Sequence, residues 1–228
     1  MNLRRMLRVI MEKEQASKVI RFCFIALFFI KLTSSLFAEN IQFSAEKIDI
    51  KPLENDENIF QLTGNAKIGN ENFSIHADEI TILGKDSEKI EAKSNVTLMD
   101  HASGLIAHGF SLTYYRTPGR LTMSGNVEIR NPKENFVARS SYIEIAEENG
   151  PITLRASVRI FQDNLFARSD LAIYNKKSNQ LQLIGNTYLS QEGKIYRTDR
   201  TTINLKTKEI ILEGGISGSM DDERIEFE

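Results

Sequence analysis

The 228-residue sequence has little of what most catalytic and metal sites are built from. It contains one cysteine, three histidines and no tryptophan, which argues against a thiolate metal site and against a disulfide framework. It has no glycine-rich phosphate loop and no Gly-x-Ser-x-Gly nucleophile elbow. We therefore expect no catalytic residue, no metal site and no cofactor.

The histidines do not change this expectation. His76 with Asp78, and His101 with Asp100, are the imidazole and carboxylate neighbours, and His108 stands among small residues. Positions 76 and 78 fall on one face of a strand, so a hydrogen-bonded pair is possible there. We interpret it as a solvated surface pair.

The N-terminal segment has the order of a secretory signal. Basic residues up to Arg21 precede the apolar run "FCFIALFFI" (22–30), and "SSLFA" ends at Ala38 before polar residues. We predict a signal peptide over 1–38, cleavage after Ala38, and one exported domain over 39–228. The alternative is an uncleaved membrane anchor, and in both cases the domain lies outside the cytoplasmic membrane.

Charge separates the two parts of the chain. Seven of the 29 Lys and Arg residues and two of the 31 Asp and Glu residues lie in 1–38, so the remainder carries 22 minus 29, a formal charge of −7. An acidic body does not attract a polyanion, and we expect no nucleic-acid partner. Cys23 lies within the predicted signal, which leaves the exported part without cysteine.

The body of the chain is built from repeats. A pair of small or polar residues recurs at intervals of 30, 31, 31, 29 and 29 residues. The pairs are Gly64-Asn65, Ser94-Asn95, Gly125-Asn126, Ala156-Ser157, Gly185-Asn186 and Gly214-Gly215. A second series of small residues follows with the same period at Ala45, Ala77, Ala107, Ala138, Ala167 and Thr198.

Apolar residues alternate with polar ones on both sides of each pair, as in Leu121, Met123, Val127 and Ile129. A period of two predicts strands with one apolar face and one solvated face. With two strands in each repeat, we predict an all-β chain of about twelve strands, whose repeats must stack to bury a shared interior.

Two explanations of the small pairs remain open at this point. Small residues let a strand twist or bend where two strands approach across a narrow interior. Alternatively, Gly-Asn begins a hairpin turn. The alternation continues through the pair, which favours the bend.

The repeated pattern "LTGNAKIGNENFSIHADEITI" (62–82) and "LTMSGNVEIRNPKENFVARSSYIEI" (121–145) resembles the LptA/OstA family of lipopolysaccharide-transport proteins. The resemblance extends over 41–218 and includes the opening "FSAEKIDI". It implies a slightly twisted, repeat-built β-jellyroll, open at both ends, whose apolar interior carries acyl chains of lipopolysaccharide or a related glycolipid across the periplasm. It also implies head-to-tail stacking, with a copy of itself or with LptC-like inner-membrane and LptD-like outer-membrane β-jellyroll domains.

We predict that the apolar stripe lines a lipid-binding groove, although periodicity alone is equally consistent with a packed core. The predicted lining is Phe60, Leu62, Ile75, Val96, Leu98, Leu105, Met123, Val127, Ile129, Phe136, Leu154, Val158, Ile160, Leu165 and Leu183.

The first and last strands of a stack present unpaired backbone groups, and we predict assembly edges at Ile41, Phe43, Ile211 and Ile216. The leading hypothesis is a periplasmic, non-enzymatic carrier. The alternatives are a membrane-anchored LptC-like subunit and a structural β-repeat protein with a dry core.

Overall fold

A computed structural model describes residues 41–52, 58–84, 88–101, 103–147, 150–175, 177–207 and 209–220. The predicted signal segment, 1–38, and the acidic tail after residue 220 lie outside the described residues.

Alternation of apolar and polar residues produces strands almost everywhere in these ranges. The strands are β1 (Gln42–Ser44), β2 (Lys47–Pro52), β3 (Asn58–Gly69), β4 (Phe73–Leu83), β5 (Lys89–Asp100), β6 (Leu105–Tyr115), β7 (Arg120–Asn131), β8 (Phe136–Ile145), β9 (Ile152–Gln162), β10 (Leu165–Asn175), β11 (Gln180–Gln191), β12 (Lys194–Asn204), β13 (Ile210–Glu213) and β14 (Ser217–Met220). A 3₁₀ turn, Pro132–Glu134, connects β7 to β8.

Each long strand pairs in antiparallel fashion with its neighbours in sequence, from β3 through to β12. Both β1 and β2 pair with β3, and both β13 and β14 pair with β12. The prediction of an all-β, open sheet is confirmed. The fourteen strands correspond to the expected twelve, because the first and the last rung are each interrupted in the middle.

Five of the six recurring small pairs lie inside strands, so the hairpin-turn explanation is wrong for them, and the sixth, Gly214-Gly215, lies between β13 and β14. In β3, Thr63 pairs with Glu79 and Ala66 with Ala77, which leaves Gly64 and Asn65 opposite the single residue Asp78. This is a β-bulge, and it recurs in β5, β7, β9 and β11. Both residues of each of these pairs have positive φ. A bulge of this kind bends the strand and increases its twist.

The line of bulges divides the sheet into two arms. In arm A, β2 and β13 are the edges, and between them the first halves of the odd-numbered long strands pair with the second halves of the even-numbered ones. In arm B, β1 and β14 are the edges. Between them, the second halves of the odd-numbered long strands pair with the first halves of the even-numbered ones. The backbone therefore folds one continuous sheet into two sheets.

Candidate functional site

The apolar side chains of both arms point to one side of the sheet. Leu62 and Ala66 lie an even number of residues apart on either side of the bulge in β3, and both are buried. In β4, Ala77 and Ile80 lie an odd number apart and are also both buried, because the strand bends between them at Asp78, the residue opposite Gly64 and Asn65. The bulge thus bends the strands without turning the apolar stripe towards solvent.

The outer side of the bend is joined by polar contacts between successive strands. Asn95 Nδ2 donates to Asp78 Oδ2 at 2.8 Å, and Asn186 Nδ2 donates to Asp170 Oδ2 at 2.7 Å. The same role is played by Asn65 with Glu46 at the first rung, and by the backbone N–H of Gly215 with Asp199 at the last rung. The sequence analysis did not identify these acidic partners, although one precedes four of the six pairs by about half of the repeat.

A cavity lies between the two arms, and its lining is apolar. Arm B contributes Leu105, Ile129, Phe136, Ala138 and Ile160, and arm A contributes Ile152, Leu154, Tyr174, Leu181 and the adjoining Leu205. Because both arms line one space, their apolar faces look towards each other across a shared interior. About 510 Å³ of this space is free of atoms, counting the part that opens to solvent.

The interior is narrow in this structure. Leu105 is 1% exposed, and Ile129 and Phe136 are each 5% exposed, so water scarcely reaches the lining. Contact with such a surface stabilises a hydrocarbon chain by about 0.8 kcal/mol for each buried CH₂. Room for an acyl chain would require the two arms to move apart on the side away from the line of bulges.

The predicted lining residues lie in this interior. All of them are buried except Phe60 and Leu165, which are half-buried and pack against the core. Five of them border the cavity itself, namely Leu105, Ile129, Phe136, Leu154 and Ile160. The others, including Met123, Val127 and Val158, are buried within the same core. Their contact with lipid stays a prediction.

Four cavity residues were missed although their alternation could have indicated them. Ala138, Ile152 and Leu181 follow the same period-two pattern as the predicted residues, and Tyr174 lies at an inward position of β10. Leu205 carried no such signal, because it follows the end of β12.

The predicted assembly residues lie on the two ends of the sheet. Phe43 on β1 is 51% exposed, Ile211 on β13 is 48% exposed, and Ile216, just before β14, is 46% exposed. Ile41 is half-buried and packs against the core. Among the described strands, the outer sides of these edges have no hydrogen-bonded neighbour.

The polar groups form no arrangement suited to catalysis. His76 is exposed, and partial desolvation followed by the charge of Lys67 lowers its pKa. Asp78 accepts from Asn95, and His108 Nδ1 lies 3.0 Å from Thr97 Oγ1. No group of three or more potential metal ligands occurs among the described residues.

Residues 109–209, which run from β6 to the turn after β12, match a family model described as LptA/(LptD N-terminal domain) LPS transport protein. The LptA resemblance is confirmed over this segment. The matched family is one of transport proteins and not of enzymes, in agreement with the prediction that the protein is not an enzyme.

Other comparisons add less. The crystal structure of LptH from Pseudomonas aeruginosa, the LptA homologous periplasmic component of the conserved lipopolysaccharide transport device, matches at 9% identity, covers 81% of this chain and 96% of LptH, and has a TM-score of 0.25. A TM-score this low supports no inference. No curated protein matches the chain. In the described part of the chain, no helix is long and apolar enough to cross a membrane.

Proposed function

We propose that this protein is a periplasmic carrier that binds the acyl chains of lipopolysaccharide or a related glycolipid between its two arms. The observation that carries the proposal is an apolar cavity to which both arms contribute. The family match of residues 109–209 supports it independently, since this segment contains every cavity residue except Leu105.

Selectivity in such a site comes from shape and from the number of buried methylenes. The cavity lining is aliphatic and aromatic, with the Tyr174 hydroxyl as its one hydroxyl group. A few acyl chains would provide ample affinity without specific polar contacts. We therefore expect tolerance of chain length and discrimination against water-soluble ligands.

Association in a row is the second part of the proposal. The β1/β2 and β13/β14 edges are different surfaces, so pairing between them is heterologous and extends without closing. Joined in this way, the interiors of successive copies, or of partner jellyroll domains at either membrane, would form one apolar path.

The experiment that tests the carrier function locates lipid with a photoreactive residue. Leu181 and Gln182 are neighbours on β11, but Leu181 borders the cavity and Gln182 is on the outward-facing side. We expect irradiation in cells to attach glycolipid at position 181 and not at 182, as read by mass spectrometry of the crosslinked protein.

The matched pair makes the negative result informative. Equal labelling at both positions would indicate non-specific contact with membrane. If neither position is labelled, and no lipid is extracted from the purified protein, the interior is a dry core and the protein is structural.

A further inference from the structure

A row of arginines crosses the outer face of arm B. Arg139 pairs with Arg159, Arg159 with Arg168, Arg168 with Tyr188, and Tyr188 with Arg197, from β8 to β12. All four arginines are exposed, on the side opposite to the apolar interior. We call Arg139, Arg159, Arg168 and Arg197 the arginine row.

The register of this row is electrostatically unfavourable. Arg139 with Arg159, and Arg159 with Arg168, are cations placed directly opposite each other, and such cross-strand pairs destabilise a sheet. Packing in the core does not require these arginines, because their side chains are exposed. A register that places like charges opposite each other breaks a local rule, and such places are often functional.

Carboxylates neutralise only one end of the row. Glu128 binds Arg139 and Arg130, and although partial desolvation raises its pKa, the hydrogen bonds from Arg130 and Arg139 outweigh it and lower the pKa. Within the described ranges, no ion pair reaches Arg159, Arg168 or Arg197.

Arm A shows the opposite arrangement. Glu144 there neutralises both Arg120, at 2.8 Å, and Arg155, at 3.7 Å, and Lys89 lies 2.6 Å from Glu91. Three cations of arm A are thus neutralised by carboxylates of the same face, as Arg139 is at one end of the row.

Two further acidic residues, close to the row in sequence, are already engaged. Asp170 and Asp199 each lie two residues beyond an arginine of the row, on the bend. Asp170 accepts from the side chain of Asn186, and Asp199 accepts from the backbone of Gly215. These hydrogen bonds hold both carboxylates to the next strand.

Aromatic rings lie beside the row and orient the guanidinium groups. The guanidinium carbons of Arg168 and Arg197 lie 5.7 Å and 5.3 Å from the centre of the Tyr188 ring, and that of Arg139 lies 5.9 Å from the Phe161 ring. Phe166 packs between these rings, with centroids 4.9 Å from Phe161 and 5.8 Å from Tyr188. Stacking leaves the N–H groups at the guanidinium edges free to donate.

We propose that the arginine row docks the protein onto an anionic phospholipid surface. Arg159 and Arg168 lie on adjacent strands, about 4.8 Å apart, and Arg197 lies one strand further on, beyond Tyr188. A guanidinium group without a carboxylate partner can bind a phosphate through two N–H groups. Phe161, 37% exposed, supplies the apolar contact typical of proteins at a lipid interface.

A lipid surface fits this face better than an acidic peptide does. The row crosses β8 to β12, each of which is paired with a strand on both sides, so a peptide would find no strand edge to extend. A lipid surface offers many phosphates in one plane and needs no backbone pairing. The inference does not depend on what fills the interior.

Binding to vesicles tests the docking surface, with the protein as recovered from the exported fraction. We expect stronger binding to phosphatidylcholine vesicles containing phosphatidylglycerol than to phosphatidylcholine alone, and weakening with salt. The triple variant Arg159→Gln, Arg168→Gln, Arg197→Gln should lose roughly fivefold per arginine, and so roughly 100-fold in partitioning to anionic vesicles.

A control variant with the same net charge separates the row from overall charge. Arg116→Gln, Arg120→Gln, Arg155→Gln removes three cations from arm A or its turn and should lose much less binding. Equal losses in both triple variants, or no preference of the parent protein for anionic vesicles, would overturn the proposal.

Two further readouts complete the test. The row variant should melt no lower than the parent, because its substitutions relieve repulsion, and it should retain lipid labelling at position 181. If it binds vesicles normally but loses crosslinks to another protein, an acidic protein partner replaces the lipid surface and the proposal is wrong.

Discussion

At the scale of single residues, the fold depends on left-handed backbone at each bulge. Gly64, Gly125 and Gly185 have φ of 77°, 84° and 77°, a region in which a side chain costs about 1–2 kcal/mol. In β5 and β9 the same position holds Ser94 and Ala156, at φ of 61° and 62°. The bend is thus imposed by the sheet even where the local residue disfavours it.

This position predicts opposite effects of opposite substitutions. Gly125→Ala should lower the free energy of unfolding by about 1–3 kcal/mol, because the alanine would have a left-handed backbone conformation and its methyl group would overlap Phe110. Ala156→Gly should raise it by about 0.5–1 kcal/mol, because strain is removed. Urea unfolding measures both.

The pair of variants contains its own control. Each changes one methyl group at the same place in a repeat. A general effect of glycine content on the unfolded chain would do the opposite of what we expect, since it would stabilise Gly125→Ala and destabilise Ala156→Gly. Destabilisation by Ala156→Gly would contradict the role given to the left-handed backbone.

At the scale of elements, the long strands are bent units with one inward and one outward face. In β11, Leu181 and Leu183 both point inward, but Leu181 borders the cavity whereas Leu183 is fully buried in packed core. The cost of deleting a side chain depends on how well its surroundings were packed.

We therefore expect Leu183→Ala to destabilise the protein by about 3–5 kcal/mol and Leu181→Ala by about 1–2 kcal/mol, as measured by urea unfolding. Truncation at 183 opens a void in packed core, whereas truncation at 181 enlarges an existing space. Equal losses in the free energy of unfolding would indicate that the interior is packed uniformly and leaves no space for lipid.

At the scale of the whole molecule, an open sheet leaves two unlike edges. Ile211 is an exposed residue of β13, an edge strand along whose free backbone another strand would pair, and a lysine at an edge disfavours such pairing. By analytical ultracentrifugation, we expect the mass of the parent to increase with concentration and the Ile211→Lys variant to show no such increase.

Phe110→Lys is the matched control for this prediction. Phe110 is 60% exposed on β6, in the middle of the sheet, so the same kind of substitution leaves the edges intact. If both variants still associate, or the parent remains monomeric at high concentration, the edges do not join copies of this protein.

Much of this architecture could be predicted from periodicity. The stripe that includes Leu62, Met123 and Val158 was assigned to the interior because a strand has a period of two, and all three residues are buried. The open sheet was predicted from the family resemblance of the repeats. The arginine row could not be found in the same way, because Arg159 and Arg168 look like ordinary solvated positions until the register places them side by side.

By itself, the sequence determined the repeats, the strands and the inward face, because each depends on contacts between residues close in the chain or on a regular alternation. Only the tertiary structure decided that Gly64-Asn65 is a bend and not a turn, because that depends on whether the neighbouring strand continues past it with a register shift. Only the tertiary structure also determined where the cavity lies and which residues line it, since Leu105 and Leu181 come together only when one sheet folds into two facing arms.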